Sequence, residues 1–184
     1  MKLLTKTWAK DRFAFGGARL LGSHPKKKRS FHSKLALHVV MRSTQACGER
    51  SLFRHNQAIA RILQAQAERQ AVKIYAVANA GNHLHLLVQA PAREQLSGFL
   101  RAISGRIAQL VGIGWDARPF SRIVSWGRDF KNVARYIGMN ANEMLGTKRA
   151  NVRQNVRQMY EKIREALREG RLTKTPSLVA AGFA

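Results

Sequence analysis

His83 and His85 stand two positions apart in the run Asn82-His83-Leu84-His85-Leu86-Leu87-Val88. On a β-strand alternate residues share a face, so the two imidazoles project together while Leu84, Leu86 and Val88 turn to the opposite side. Two neutral imidazoles side by side make part of a ligand set for a divalent metal. The plainer reading is two polar residues on the solvent side of a half-covered sheet. A second candidate is Tyr136. In the helix expected around it, Phe130, Val133, Ala134 and Ile137 form the apolar stripe. Tyr136 falls roughly a quarter turn or more from the centre of that stripe, on a polar flank with Asp129, Asn132, Asn140 and Glu143. Asn140 follows at i+4 on the same face. A tyrosine beside an amide oxygen can act as a nucleophile next to a third metal ligand. Taken alone, its pattern favours an ordinary amphipathic tyrosine at the edge of a core.

Other chemistries are short of residues. Two-metal nucleases need several carboxylates as bridging ligands, and the chain has ten acidic residues in all. Glu143, Glu161, Glu165 and Glu169 fall on the last two expected helices, and none clusters near a strand end. A nucleotide hydrolase built on alternating histidines would want a third at position 87, which is leucine. No Walker-type phosphate loop or G-x-S-x-G elbow occurs.

The elements that must position these residues follow from periodicity. Leu35, Leu37, Val39 and Met41 alternate as in a strand. Residues 56–70 carry Ile59, Ile62 and Leu63 at helical spacing, and residues 72–79 and 83–89 read as strands joined by Ala80-Gly81-Asn82. Leu96, Phe99, Leu100, Ile103, Ile107, Leu110 and Val111 form a helical stripe ended by Gly112 and Gly114. Residues 120–126 read as a further strand, and helices are expected at about 128–142 and 149–169. This order predicts an α+β domain of the ferredoxin-like kind (βαββαβ), an antiparallel sheet with helices on one face and additional C-terminal helices. The expected organisation is a basic extension over 1–30, a globular domain over 31–145, a basic helix over 146–171 and a tail over 172–184.

Composition narrows the partners. Of 184 residues, 33 are Lys or Arg and 10 are Asp or Glu, a formal charge of +23. With 45% hydrophobic residues the chain is too apolar for a disordered basic tail. One cysteine, Cys47, excludes an internal disulfide framework and suggests a reducing compartment. No apolar run approaches the roughly 20 residues of a membrane span, and the charged N-terminus does not read as a secretory signal. A cytoplasmic, nucleoid-associated protein that binds polyanions is expected. Lys26-Lys27-Lys28-Arg29 is a compact basic run suited to phosphate contact or simple solvation. Arg149, Arg153, Arg157, Arg164, Arg168 and Arg171 form a band beside the apolar stripe Val152, Val156, Met159, Ile163 and Leu167. That band suits a DNA backbone, or pairing with Glu161, Glu165 and Glu169 on a solvated face. Trp8, Trp115 and Trp126 are candidate stacking platforms, though such tryptophans more often belong to a core.

Together these residues resemble a known family. The Asn82–Val88 run is similar to the NHxHLLV signature of HUH (His-hydrophobic-His) single-tyrosine transposases. His38-Val39-Val40-Met41-Arg42 resembles the first-strand HVxxR of their REP-associated branch. Trp115-x-x-Arg118 with Phe120 resembles a W-x-x-R-[YF] segment, and Tyr136-x-x-x-Asn140 matches the spacing of nucleophile to ligand. The resemblance runs over roughly residues 31–145. It implies that His83, His85 and Asn140 hold one Mg²⁺ or Mn²⁺ at the scissile phosphate of single-stranded DNA. It further implies that Tyr136 attacks the phosphorus, stays linked to the 5′ side and releases a 3′-hydroxyl, so that strands rejoin without ATP. Hairpin-containing DNA is the implied partner, bound by a monomer or homodimer. Arg135 is one possible activator of the phenol, and Arg42 and Arg118 are further candidate DNA contacts. His38 has two readings, a phosphate contact near the site or a satisfied sheet histidine, the second favoured. The rival from another class is a non-catalytic single-stranded DNA or RNA binding module; the missing RNP-type aromatic pair on the third strand weighs against its RNA version.

Overall fold

The computed structural model of the chain describes residues 15–16 and 29–144. Alternation and helical spacing produce, in order, β1 (Phe15–Gly16), β2 (Ala36–Arg42), α1 (Asn56–Arg69), β3 (Lys73–Asn79), β4 (His83–Gln89), α2 (Arg93–Val111), β5 (Phe120–Val124) and α3 (Arg128–Met144). The strands form one antiparallel sheet in the order β1-β5-β2-β4-β3. Strands β2 to β5 with α1 and α2 give the expected ferredoxin-like α+β arrangement. The expected helix at 149–169, the tail and Trp8 lie outside the described residues.

The two faces of the sheet are covered differently. Leu37, Val39 and Met41 of β2 and Leu84, Leu86 and Val88 of β4 turn to α1 and α2. There they pack with Ile59, Leu63, Leu96, Phe99, Ile103 and Ile107 in the main core. The opposite face carries Ala36, Ala76, Ala78, Leu87 and Val124 against Phe130, Val133, Ala134, Ile137 and Ala141 of α3. The crossover helices thus share one face and α3 covers the other. The His83 side of β4 is therefore not a bare solvent face but the floor beneath a helix.

Three local features fix that geometry. Gly81, at φ 81°, makes the left-handed turn into β4 that a Cβ would oppose. Its N–H donates to Asn79 Oδ1 (3.1 Å), and its carbonyl accepts from Leu52 N (2.7 Å). In β3 a bulge between Ile74 and Ala76 leaves Tyr75 and Ala76 together on the α3 side. Finally, the link from β5 to α3 turns through Gly127 at φ 92°. Asp129 anchors it: its carboxylate accepts Ser125 N (3.1 Å) and a fork from Arg122 (both 3.3 Å), and its charge suits the first turn of a helix.

The segment assigned to a basic extension supplies Phe15–Gly16, which pair with Arg122 and Ser121 at the β5 edge. Two residues are too short a run for alternation to register.

Candidate active site

The histidines meet because of strand register. His38 of β2 pairs opposite Leu87, Val40 opposite His85 and Arg42 opposite His83. His38 and His85 are therefore diagonal neighbours on the face beneath α3, a distance that ring side chains can bridge. His38 Nε2 lies 3.1 Å from His85 Nδ1, with ring centroids 5.3 Å apart and the two planes within 18° of each other, so the rings meet edge to edge through these nitrogens. His83 and His85 meet edge to face at 4.8 Å. His83 Nδ1 is 2.6 Å from Asn82 Oδ1. An amide oxygen only accepts, so His83 carries its proton on Nδ1 and keeps a lone pair on Nε2. His85 Nε2 is buried without a hydrogen-bond partner.

Helix α3 brings the phenol. Phe130, Val133, Ala134 and Ile137 are buried as their spacing predicts, and Tyr136, off that stripe, is 49% exposed. Its ring stands edge-on to His85 at 5.4 Å and to His38 at 6.2 Å. Asn140 lies a turn further along α3, half-buried. Its Nδ2 donates to the Tyr136 carbonyl (2.9 Å), which leaves Oδ1 as the atom able to bind a cation. The fold therefore gathers Tyr136, His83, His85 and His38 from three elements; Asn140 is linked to the group through the Tyr136 backbone.

Electrostatics keep the imidazoles neutral. Burial, then the nearby His38 and His83, push His85 down to about 3. Burial and Arg122, partly opposed by Asp129, push His38 down to about 4. His83 is lowered by burial and by Arg42. Unprotonated rings are what metal ligation requires.

Of the expected DNA contacts, His38 and Arg42 lie beside the candidate site, Arg42 pairing opposite His83 and acting on its charge. Arg42 is exposed and weakly paired with Asp116 (3.8 Å). Arg118 and Arg135 are exposed. Arg29 is held by the fold, its guanidinium donating to Ser121 Oγ and its carbonyl accepting from Arg93. Burial and the neighbouring Arg118 lower its pKa. Lys26, Lys27, Lys28, Arg149, Arg153 and Arg157 lie outside the described residues. Trp115 packs partly against the main core and donates to the Ser104 carbonyl (2.9 Å). Trp126, 40% exposed, donates to the Lys34 carbonyl (2.7 Å) and packs on Tyr75 and Phe130. Sequence reasoning missed the His38–His85 contact and the Arg122–Asp129 anchor. The HVxxR resemblance pointed at His38 without giving its partner, and the Arg122–Asp129 spacing spans a turn whose shape periodicity does not report.

Comparison with known proteins agrees with this architecture. A solved structure of a REP-associated tyrosine transposase bound to a REP hairpin superposes with a TM-score of 0.56 at 15% identity, covering 65% of this chain and 74% of the other. At that identity the likeness is one of fold. No curated protein sequence matches the chain significantly. Among the described residues no helix is long and apolar enough to cross a membrane. The family model for IS200-like transposases matches residues 31–137, a span that begins just before β2 and takes in His38, His83, His85 and Tyr136. With more than half its length inside that match, the chain belongs to the IS200-like transposase family.

Proposed function

We propose that the chain is a metal-dependent endonuclease and strand transferase acting on single-stranded, hairpin-containing DNA, with Tyr136 as nucleophile and His83, His85 and Asn140 as ligands of one Mg²⁺ or Mn²⁺. The observation that carries this reading is the edge-on approach of the Tyr136 ring to His85 at 5.4 Å, beside a second histidine. The donor set suits the ion. His85 Nε2 is a buried atom with no protein partner, His83 has its Nδ1 occupied by Asn82, and the Asn140 amide has its nitrogen occupied and its oxygen free of that bond. Two imidazoles and an amide bind a hard cation weakly, which fits a site completed by substrate oxygens and water. When bound, the ion polarises the phosphoryl oxygen and offsets charge developing on it.

The residues of the chain supply the rest. Tyr136 Oη loses its proton and forms a bond to phosphorus. The bond from phosphorus to the 3′ oxygen breaks, and that oxygen departs as a 3′-hydroxyl after taking up a proton. The 5′ phosphate stays on tyrosine as a phosphodiester, so attack by another 3′-hydroxyl reseals the strand and regenerates the phenol. The exposure of Tyr136 leaves the ring open to a strand, and the +23 charge draws one in.

The test is a labelled single-stranded hairpin incubated with the protein and Mn²⁺ or Mg²⁺. A covalent protein–DNA adduct that disappears in Tyr136→Phe, with binding retained, is the expected result. Salt-sensitive binding with no adduct under either metal would replace the proposal with a non-catalytic binding module.

A further inference from the structure

We propose that His38 is a positioning residue for His85, accepting a hydrogen bond from Nδ1 and so fixing that ring with its lone pair on Nε2. The inference builds on the reading of His85 as a metal ligand.

Between His38 Nε2 and His85 Nδ1, at 3.1 Å, one nitrogen must carry the proton and the other must accept it. If His38 donated, the proton of neutral His85 would sit on Nε2, a buried N–H with no acceptor. An orphaned buried donor is the costlier arrangement. If His85 donates, the orphan is a lone pair, and that is the form a cation needs. The partner of His83 admits no such choice, since the Asn82 oxygen cannot donate. With His38 accepting, both imidazoles therefore present Nε2. With its Nε2 engaged by His85 Nδ1, His38 serves the site through His85. Outer partners of ligating histidines set tautomer and ring orientation, and their loss typically weakens metal binding 10- to 100-fold.

The tautomer can be read directly in the metal-free, full-length protein with ¹⁵N-labelled histidines, from two-bond ¹H–¹⁵N correlations. The expected pattern has His85 protonated on Nδ1; a proton on Nε2 would overturn the proposal without recourse to any variant. Two substitutions extend the test. His38→Ala is expected to mix the His85 tautomers and weaken Mn²⁺ binding roughly 10- to 100-fold, measured by Mn²⁺ paramagnetic resonance. His38→Gln, whose amide oxygen can accept, should restore most of both. Unchanged Mn²⁺ affinity and tautomer in His38→Ala would overturn the role. Wild-type protein binding Mn²⁺ no better than a His83→Ala/His85→Ala variant would instead remove the ligand reading, and with it the purpose assigned to His38. A proton on Nε2 beside intact Mn²⁺ binding removes His38 alone.

Discussion

The Tyr136 phenol meets the His85 imidazole edge-on, with ring centroids 5.4 Å apart and planes at 87°. Edge-to-face aromatic contacts contribute about 0.5–1.5 kcal/mol beyond area burial, so this contact helps hold the ring in place while half of the tyrosine surface stays exposed. Helix and sheet are joined here by one chain. The tyrosine of α3 and the histidines of β4 meet within the chain.

Replacing Tyr136 with phenylalanine keeps the ring and its edge contact and removes only the hydroxyl. Covalent adduct formation and strand cleavage should fall at least about a thousandfold, while hairpin affinity changes less than about threefold. Gel analysis of adduct and a filter-binding titration measure the two. Cleavage retained in the variant would move the nucleophile elsewhere.

Ile137 is fully buried in the cluster between α3 and the sheet, directly beside Tyr136 in sequence. Ile137→Ala should lower unfolding free energy by roughly 2–5 kcal/mol through lost burial and a residual cavity. Denaturant unfolding reads the stability. Adduct formation at a temperature where the variant is folded should fall more than DNA binding does, because the cavity loosens the seat of the tyrosine. Equal losses in both would show that the seating of α3 does not control the phenol.

Asp129 joins β5 to α3 through Arg122 and Ser125. Both partners of the ion pair are partly shielded, so the pair exceeds an exposed one only modestly. Asp129→Ala should destabilise the fold by about 1–2 kcal/mol, the range of a lost helix cap. A double-mutant cycle with Arg122→Ala should show coupling between the two positions; strict additivity would mean that the fork contributes nothing.

Tyr75 carries the clearest alkaline signature. Its hydroxyl donates to Gln89 Oε1 (2.6 Å), its ring packs edge-on against Phe130 and Trp126, and burial pushes its pKa up to about 12. The unfolded phenol ionises near 10. The contribution of Tyr75 is therefore complete below about pH 10 and is lost as pH rises through about 12. Denaturant unfolding at pH 9 and pH 11 should show a loss for the wild type that exceeds that of Tyr75→Phe by about 1 kcal/mol. An identical loss in both proteins would mean that this phenol ionises normally in the folded state.

Local order in the sequence determined much of this molecule. A period of two put His83 and His85 on one face and Leu84, Leu86 and Val88 on the other, and the core bears out that division. A period near 3.6 separated the buried Phe130, Val133, Ala134 and Ile137 from the exposed Tyr136. Both results follow from backbone geometry that each segment carries by itself. Tertiary structure decided what no segment contains. The register of β2 against β4 set His38 on His85, and the turn at Gly127 with its Asp129 anchor laid α3 over the histidine face. The edge of β5 drew in Phe15–Gly16, a pairing too short to leave a periodic trace. Those choices depend on which surfaces bury each other once the chain has closed on itself, and a one-dimensional pattern records which side is apolar but not what will cover it.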